Sequence, residues 1–209
     1  MLRVRDESVD KQHPFASVLS CSDSRTTVEL IFDQNLGDIF SVRLAGNIAS
    51  NKAIGSLELS CKYLGSKLVV VMGHSNCGAI KAACDHYKGG NIGEIIELID
   101  PAVALEKTIS DNRNSTNDLF VGKVCFHNVE IQMERILKRS SLLTERIEKK
   151  EIGNFDFGLR RLVQNQLQDF DDEYAIPQDE DEQLGDLPFA GSAVGSAGWN
   201  LAGQGPQGC

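Results

Sequence analysis

Short apolar runs alternate with stretches of helical period from about residue 15 to residue 152. Each apolar run is long enough for one buried strand, and the helical stretches between them suit crossover connections. Strands are predicted at 15–19, 38–43 and 68–72, and helical segments at 28–32, 53–64, from 78 onward, 94–105 with a break near 100–101, and 129–147. This alternation predicts an α/β fold with a mainly parallel β-sheet and flanking helices.

The pattern ends near Ile152, and the composition then changes. An acidic block extends from Asp169 to Asp186, and a segment rich in glycine, serine and alanine follows it. Segments of low hydrophobicity and high net charge bury too little apolar surface to fold. We therefore predict one folded domain over residues 1–152 and a largely disordered acidic tail over residues 153–209.

The net charge of −9 belongs to this tail. Nine of the 30 acidic residues lie between Asp169 and Asp186, which leaves 21 acidic residues against 21 lysines and arginines in the rest of the chain. The remainder is therefore neutral and lacks the basic patch of a nucleic-acid-binding protein. We expect no nucleic-acid partner.

The apolar runs and the cysteines bear on the cellular location. The run at 68–72 is far too short to cross a bilayer, and the first residues lack the apolar stretch of a secretory signal. The six cysteines are scattered along 209 residues, unlike those of a disulfide-stapled protein. We expect a cytoplasmic protein with no membrane partner.

Two polar clusters follow predicted strands, Cys21-Ser22-Asp23-Ser24-Arg25 and His74-Ser75-Asn76-Cys77-Gly78. Because neighbouring parallel strands end at the same edge of a sheet, we expect Cys21, His74 and Cys77 to converge there. Two thiols and one imidazole form a ligand set that suits zinc. The other cysteines of the predicted domain are expected as small core residues, namely Cys61, Cys84 and Cys125.

Asp23 has two possible roles beside such an ion. It is either the fourth ligand, which closes the site, or the partner of Arg25, which leaves the fourth position to water. A carboxylate and a guanidinium match as a bidentate pair, and zinc makes a water molecule a usable nucleophile. The residues alone leave both roles open.

Several ordered motifs resemble those of β-class carbonic anhydrases over about residues 12–150. They are Gln12-His13-Pro14, Gly37-Asp38-Ile39-Phe40 with Arg43-Leu44-Ala45-Gly46-Asn47, Ser56-Leu57-Glu58-Leu59, and Gly73-His74-Ser75-Asn76-Cys77-Gly78-Ala79. The resemblance implies one Zn²⁺ per chain, bound by Cys21, His74 and Cys77. It also implies a zinc lyase (carbonate dehydratase) that hydrates CO2 to bicarbonate and a proton by means of zinc-bound hydroxide.

The same resemblance assigns further roles. Asp23 either forms a catalytic dyad with Arg25 or becomes the fourth zinc ligand. Four residues would bind or surround the substrate, namely Gln12, Phe40, Ala45 and Gly78. Members of the family assemble as homodimers or larger homo-oligomers.

The sequence departs from the family pattern at both ends. Only eleven residues precede Gln12, so we expect this chain to lack the helical arm that wraps a dimer partner. Leu59 replaces a tyrosine of the pocket, and Leu44 replaces an asparagine. No closing sheet strand is predicted after Ile152, because the residues from Gly153 onward do not match the family's last segment.

Two alternative functions follow from these departures and from the scaffold. One is a zinc-binding regulatory or binding module that has lost turnover. The other is hydrolysis of CS2 or COS at the same metal site.

Overall fold

A computed structural model describes residues 11–159 of the chain. The elements are β1 (Ala16–Ser20), α1 (Val28–Ile31), β2 (Ile39–Arg43), a 3₁₀ turn (Ala45–Asn47), α2 (Asn51–Leu59), a π-helical extension (Ser60–Leu64), β3 (Leu68–His74), α3 (Gly78–Cys84), α4 (Gly90–Leu105), α5 (Asp118–Arg139), α6 (Ser141–Glu148) and β4 (Gly153–Leu159). The four strands form one parallel sheet in the order β2-β1-β3-β4. The predicted α/β class with a parallel sheet and flanking helices is confirmed.

The two central strands are covered on both faces. Leu19, Val69 and Val71 lie in a core with α2 and α5, whereas the alternate residues Val18 and Val70 pack with α1 on the other side. This alternation follows from the two-residue period of a strand. It explains why these segments are continuously apolar, as is typical of a buried parallel sheet.

The predicted break near Pro101 is wrong. Helix α4 continues through Pro101 to Leu105. A proline removes one backbone hydrogen bond, but apolar residues on both sides of it, among them Ile99 and Ala102, are fully buried. We infer that burial of this face keeps the helix continuous.

The predicted single helix over 129–147 is also wrong. It is two helices, α5 and α6, which are separated at Ser140. The Ser140 hydroxyl accepts a hydrogen bond from the Leu143 amide at 3.1 Å and donates to Glu58 at 2.6 Å. A serine that caps a new helix ends the preceding one without disturbing the apolar period.

A fourth strand lies where no strand is predicted. β4 pairs in parallel with β3, with Gly153 opposite Leu68 and Leu159 opposite His74. Glycine and aspartate interrupt its apolar pattern, which explains why the sequence does not reveal it. The predictions for residues 1–10 and 160–209, including the acidic tail, lie outside the described residues.

Between residues 11 and 159, none of the helices is both long enough and apolar enough to cross a membrane.

Candidate metal centre

Three potential metal ligands meet at the carboxyl edge of the sheet. Cys21 directly follows β1, His74 ends β3, and Cys77 precedes α3. The two strands are neighbours, so their ends coincide. The Sγ atoms of Cys21 and Cys77 are 3.8 Å apart, and the ligand atoms of all three residues lie within 4.8 Å of one another. All three residues are buried, and their predicted convergence is observed.

The turn after β3 brings Cys77 back toward His74. Asn76 lies in the left-handed region with φ 57°, which asparagine tolerates better than most residues. This conformation reverses the chain within two residues of the strand end. The local sequence Ser75-Asn76 therefore explains how residues 74 and 77 serve one site.

The imidazole of His74 is oriented so that one ring nitrogen can bind a metal ion. Its Nδ1 lies 2.9 Å from the carbonyl oxygen of Ser75, and because a carbonyl only accepts, Nδ1 carries the hydrogen. Nε2 is then an acceptor, and it is buried without a hydrogen-bond partner among the described residues. Such an orphaned atom calls for an explanation, and a cation among two sulfurs supplies one.

The thiols of Cys21 and Cys77 form a hydrogen-bonded pair. The hydrogen bond with Cys77 is the largest cause that lowers the pKa of Cys21 well below its usual range; burial opposes this shift, and the amide of Gly46 adds to it. The same hydrogen bond and burial raise the pKa of Cys77. A thiolate, a second sulfur and an imidazole nitrogen match the ligands that zinc prefers, so the residues fit this metal.

Asp23 and Arg25 form a bidentate ion pair beside these ligands. Arg25 donates from Nε to Oδ1 at 2.9 Å and from Nη2 to Oδ2 at 2.7 Å, and its backbone amide also donates to Oδ1. The side-chain hydrogen bonds, followed by the backbone one, hold the pKa of Asp23 well below its usual range. Asp23 Oδ2 lies 3.9 Å from Nε2 of His74. This geometry favours the paired role of Asp23 over the ligand role, and both stay predictions.

Arg43 is a structural residue of the site to which the sequence analysis assigns no role. From the end of β2 it donates through Nε to the Cys21 carbonyl at 3.0 Å and through Nη2 to the Asp23 carbonyl. The hydroxyl of Thr26 donates to the same Asp23 carbonyl at 2.9 Å. Together they hold the loop that carries both a ligand and the ion pair. The sequence signals for this role are the position of Arg43 at the end of a predicted strand and its place in the motif Arg43-Leu44-Ala45-Gly46-Asn47.

The four predicted substrate residues occupy different parts of one chain. Ala45 opens the 3₁₀ turn and Gly78 opens α3, both close in sequence to groups at the metal site. Phe40 on β2 pairs with Ser17 on β1. At ~3.3 Å per residue along β1 from Ser17 to Cys21, Phe40 lies about 13 Å from the level of Cys21 in the strand direction. Gln12 is exposed and precedes β1 at the far end of the sheet. A single chain therefore does not bring Gln12 and Phe40 to its own metal site.

The comparisons with known proteins agree with this fold. The carbonic anhydrase family model matches residues 16–155. The chain belongs to the carbonic anhydrase family. Carbonic anhydrase 2 of Mycobacterium tuberculosis is 36% identical over 141 residues, which are 65% of this chain and 65% of that protein. The chain thus spans slightly less than two thirds of the length of this carbonic anhydrase.

A structural relative shows the class of the fold. One of two tetrameric β-carbonic anhydrases from Sordaria macrospora matches with a TM-score of 0.60 and 24% identity, over 72% of this chain and 79% of that one. This is the β-class carbonic anhydrase fold. A carbon disulfide hydrolase of Saccharolobus solfataricus is also similar, with 31% identity over 98 residues, 44% of this chain and 48% of that protein.

Proposed function

We propose that this chain binds one zinc ion through Cys21, His74 and Cys77 and catalyses the reversible hydration of CO2 to bicarbonate and a proton. The observation that carries the proposal is the convergence of two sulfurs and an orphaned imidazole nitrogen within 4.8 Å, beside an ion pair. Membership of the carbonic anhydrase family supports it.

Each ligand contributes charge or orientation. Cys21 and Cys77 supply negative charge in a buried site, which favours a divalent cation. The Nδ1 hydrogen bond of His74 fixes the ring so that Nε2 faces the sulfurs. When bound, zinc supplies Lewis acidity that lets a water molecule lose its proton near neutral pH.

The Asp23–Arg25 pair orients the reacting water in this proposal. Asp23 stays ionised at neutral pH because Arg25 donates to both of its oxygens. An ionised carboxylate only accepts hydrogen bonds, so it aligns a water molecule by its hydrogen and leaves the oxygen lone pair directed away. CO2 carries no net charge, and we assign its binding to the apolar surroundings of Ala45 and Gly78.

We further propose that a homo-oligomer completes the substrate pocket. Gln12 and Phe40 lie far from the metal site of their own chain, so they can bind substrate only at the site of a second copy. The tetrameric state of the Sordaria macrospora relatives supports assembly. Gel filtration with light scattering would test this, and a monomer with full activity would contradict it.

The activity is tested on the full chain by zinc analysis together with stopped-flow CO2 hydration. We expect one zinc per chain and a rate well above that of buffer. Zinc-loaded protein that does not exceed the buffer rate would instead support a zinc-binding module without turnover.

We also propose a cytoplasmic location, which the five described cysteines support because all are free thiols.

Hydrolysis of CS2 or COS at the same site is the second candidate. The similarity to a carbon disulfide hydrolase favours it. CS2 and COS are linear and apolar like CO2, so the same ligands and ion pair suit them. Release of sulfide from CS2 at a rate above that of CO2 hydration would make this the main activity.

A further inference from the structure

A buried glycine links the Cys21 sulfur to helix α5. The amide of Gly46 donates a hydrogen bond to Sγ of Cys21 at 3.3 Å. Gly46 has φ +66°, and a Cβ atom there would lie 2.6 Å from Cδ1 of Ile99. Only glycine fits this position without displacing its neighbours. Because glycine has no side chain of its own to pack, the position of the Gly46 amide depends on the groups that hold the 3₁₀ turn.

Two fully buried amide side chains hold that turn. Asn128 donates through Nδ2 to the Gly46 carbonyl at 2.9 Å. Gln132, one helical turn later, donates through Nε2 to Oδ1 of Asn128 and to the Leu98 carbonyl, both at 2.9 Å, and its Oε1 accepts from the Ala49 amide at 2.8 Å. Both side chains have no exposed surface.

The hydrogen bonds fix the orientation of both amides. Oδ1 of Asn128 accepts from Gln132, so its Nδ2 must face Gly46. Gln132 is fixed in turn because its oxygen accepts from a backbone amide and its nitrogen donates to a backbone carbonyl. A buried network of this kind holds its members rigidly.

We propose that Asn128, oriented by Gln132, is a positioning residue that holds the Gly46 amide on the Cys21 sulfur and thereby raises the affinity of the metal site. The inference rests on the proposed zinc binding. Gly46 is held on both sides, with its carbonyl bound by Asn128 and its amide directed at Cys21. A hydrogen bond to a sulfur stabilises the thiolate form, which is the form that binds metal.

The network reaches the metal site through Gly46 and not through the ligands themselves. Within the described residues, neither Asn128 nor Gln132 forms a hydrogen bond to Cys21, His74 or Cys77. A group that hydrogen-bonds directly to a metal ligand, as the Gly46 amide does, changes metal affinity by about 10–100-fold when it is removed, so a side chain that holds such a group should act toward the lower end of this range. We therefore expect a measurable loss of affinity in a chain whose three ligands are intact.

The test compares Asn128→Leu and Gln132→Met with the control Ile136→Ala. Leucine and methionine resemble the replaced amides in size and cannot form the hydrogen bonds. Ile136 is fully buried on the same helix and lies in the apolar core beside the sheet, so its truncation loosens α5 and removes none of the hydrogen bonds of the network. Zinc affinity is measured by chelator competition, and the Co²⁺-substituted proteins are compared by absorption spectroscopy.

We expect zinc to bind about tenfold or more weakly in Asn128→Leu, with a smaller loss in Gln132→Met. The sulfur-to-cobalt charge-transfer band shifts in both, whereas Ile136→Ala retains the wild-type affinity and band. Affinities and spectra of both network variants that match the control would overturn the inference and leave the zinc proposal standing. A wild-type chain that binds no zinc would overturn both. If Asn128→Leu does not fold, Gln132→Met decides.

Discussion

The metal ligands and the Asp23–Arg25 pair lie side by side but are held in different ways. His74 and Cys77 are buried, and the fold places them at a strand end and a helix start. The Arg25 side chain is 60% exposed and held by Asp23 and its own short loop. We infer that the fold holds the metal ligands firmly, whereas the exposed Arg25 side chain is held less firmly. The comparison suggests that the buried ligands determine metal binding, whereas the Asp23–Arg25 pair affects the rate of CO2 hydration.

Removal of a ligand should produce the largest effect. We expect Cys77→Ser and His74→Ala to lose bound zinc and CO2 hydration together, because each leaves only two ligands of the buried set. Metal analysis of the purified proteins and stopped-flow assays measure this. Cys61→Ala is the matched control, since Cys61 is a buried cysteine outside the site, and it should keep one zinc. Full zinc content in Cys77→Ser would contradict the ligand assignment.

Removal of the carboxylate should separate binding from turnover. We expect Asp23→Asn to keep its zinc but to hydrate CO2 about 100-fold more slowly, the lower end of the range for acid–base groups. Asparagine has the same shape but lacks the charge that Arg25 binds. Arg25→Lys is the companion variant, because lysine keeps the positive charge but cannot form the bidentate pair of hydrogen bonds to the carboxylate. Loss of zinc in Asp23→Asn would show that Asp23 is a ligand.

The pH dependence of the metal-free site should show one easily ionised thiol. The hydrogen bond with Cys77 lowers the pKa of Cys21 well below its usual range, so its thiolate should persist at neutral pH and somewhat below it. The raised pKa of Cys77 keeps that residue protonated over the same range. We expect thiolate absorbance in the ultraviolet to correspond to about one thiolate per chain between pH 6 and pH 7.

Cys21→Ser should abolish this absorbance near neutral pH, whereas Cys61→Ala should not change it. No thiolate below pH 8 in the wild type would contradict the electrostatic description of the pair.

The smallest effect is expected far from the site. Ser140→Ala removes the cap of α6 and the hydrogen bond to Glu58 and should lower the free energy of unfolding by about 1 kcal/mol. Urea denaturation measures this change. Zinc content and CO2 hydration should stay at wild-type values, and a change in either would mean that this helix junction affects the metal site.

The sequence predicted those parts of the fold that depend on local pattern. The apolar runs at 15–19 and 68–72 are visible because both faces of those strands are buried. The metal ligands were predictable because each directly follows a recognisable strand. The resemblance to known motifs also implies substrate-binding residues that the hydrophobic pattern alone does not reveal, such as Gln12 and Phe40.

Other features depend on tertiary contacts that the sequence does not show. Ser140 has no special sequence signal, and its role depends on Glu58, which is distant in the chain. Arg43 belongs to a recognisable motif, but its hydrogen bonds to two loop carbonyls form only when β2 lies beside β1. Asn128 lies just before the predicted helical segment 129–147 and belongs to none of the motifs. Buried polar residues of this kind are recognised by their partners, which only the fold reveals.

X-ray absorption at the zinc edge of the purified full chain tests the central claim most directly. Two sulfurs at about 2.3 Å and one imidazole nitrogen at about 2.0–2.1 Å are expected around the ion, and Cys21→Ser, which leaves only two ligands, should lose the bound zinc. A zinc ion surrounded only by oxygen and nitrogen, or a spectrum that Cys21→Ser leaves unchanged, would contradict the proposed site.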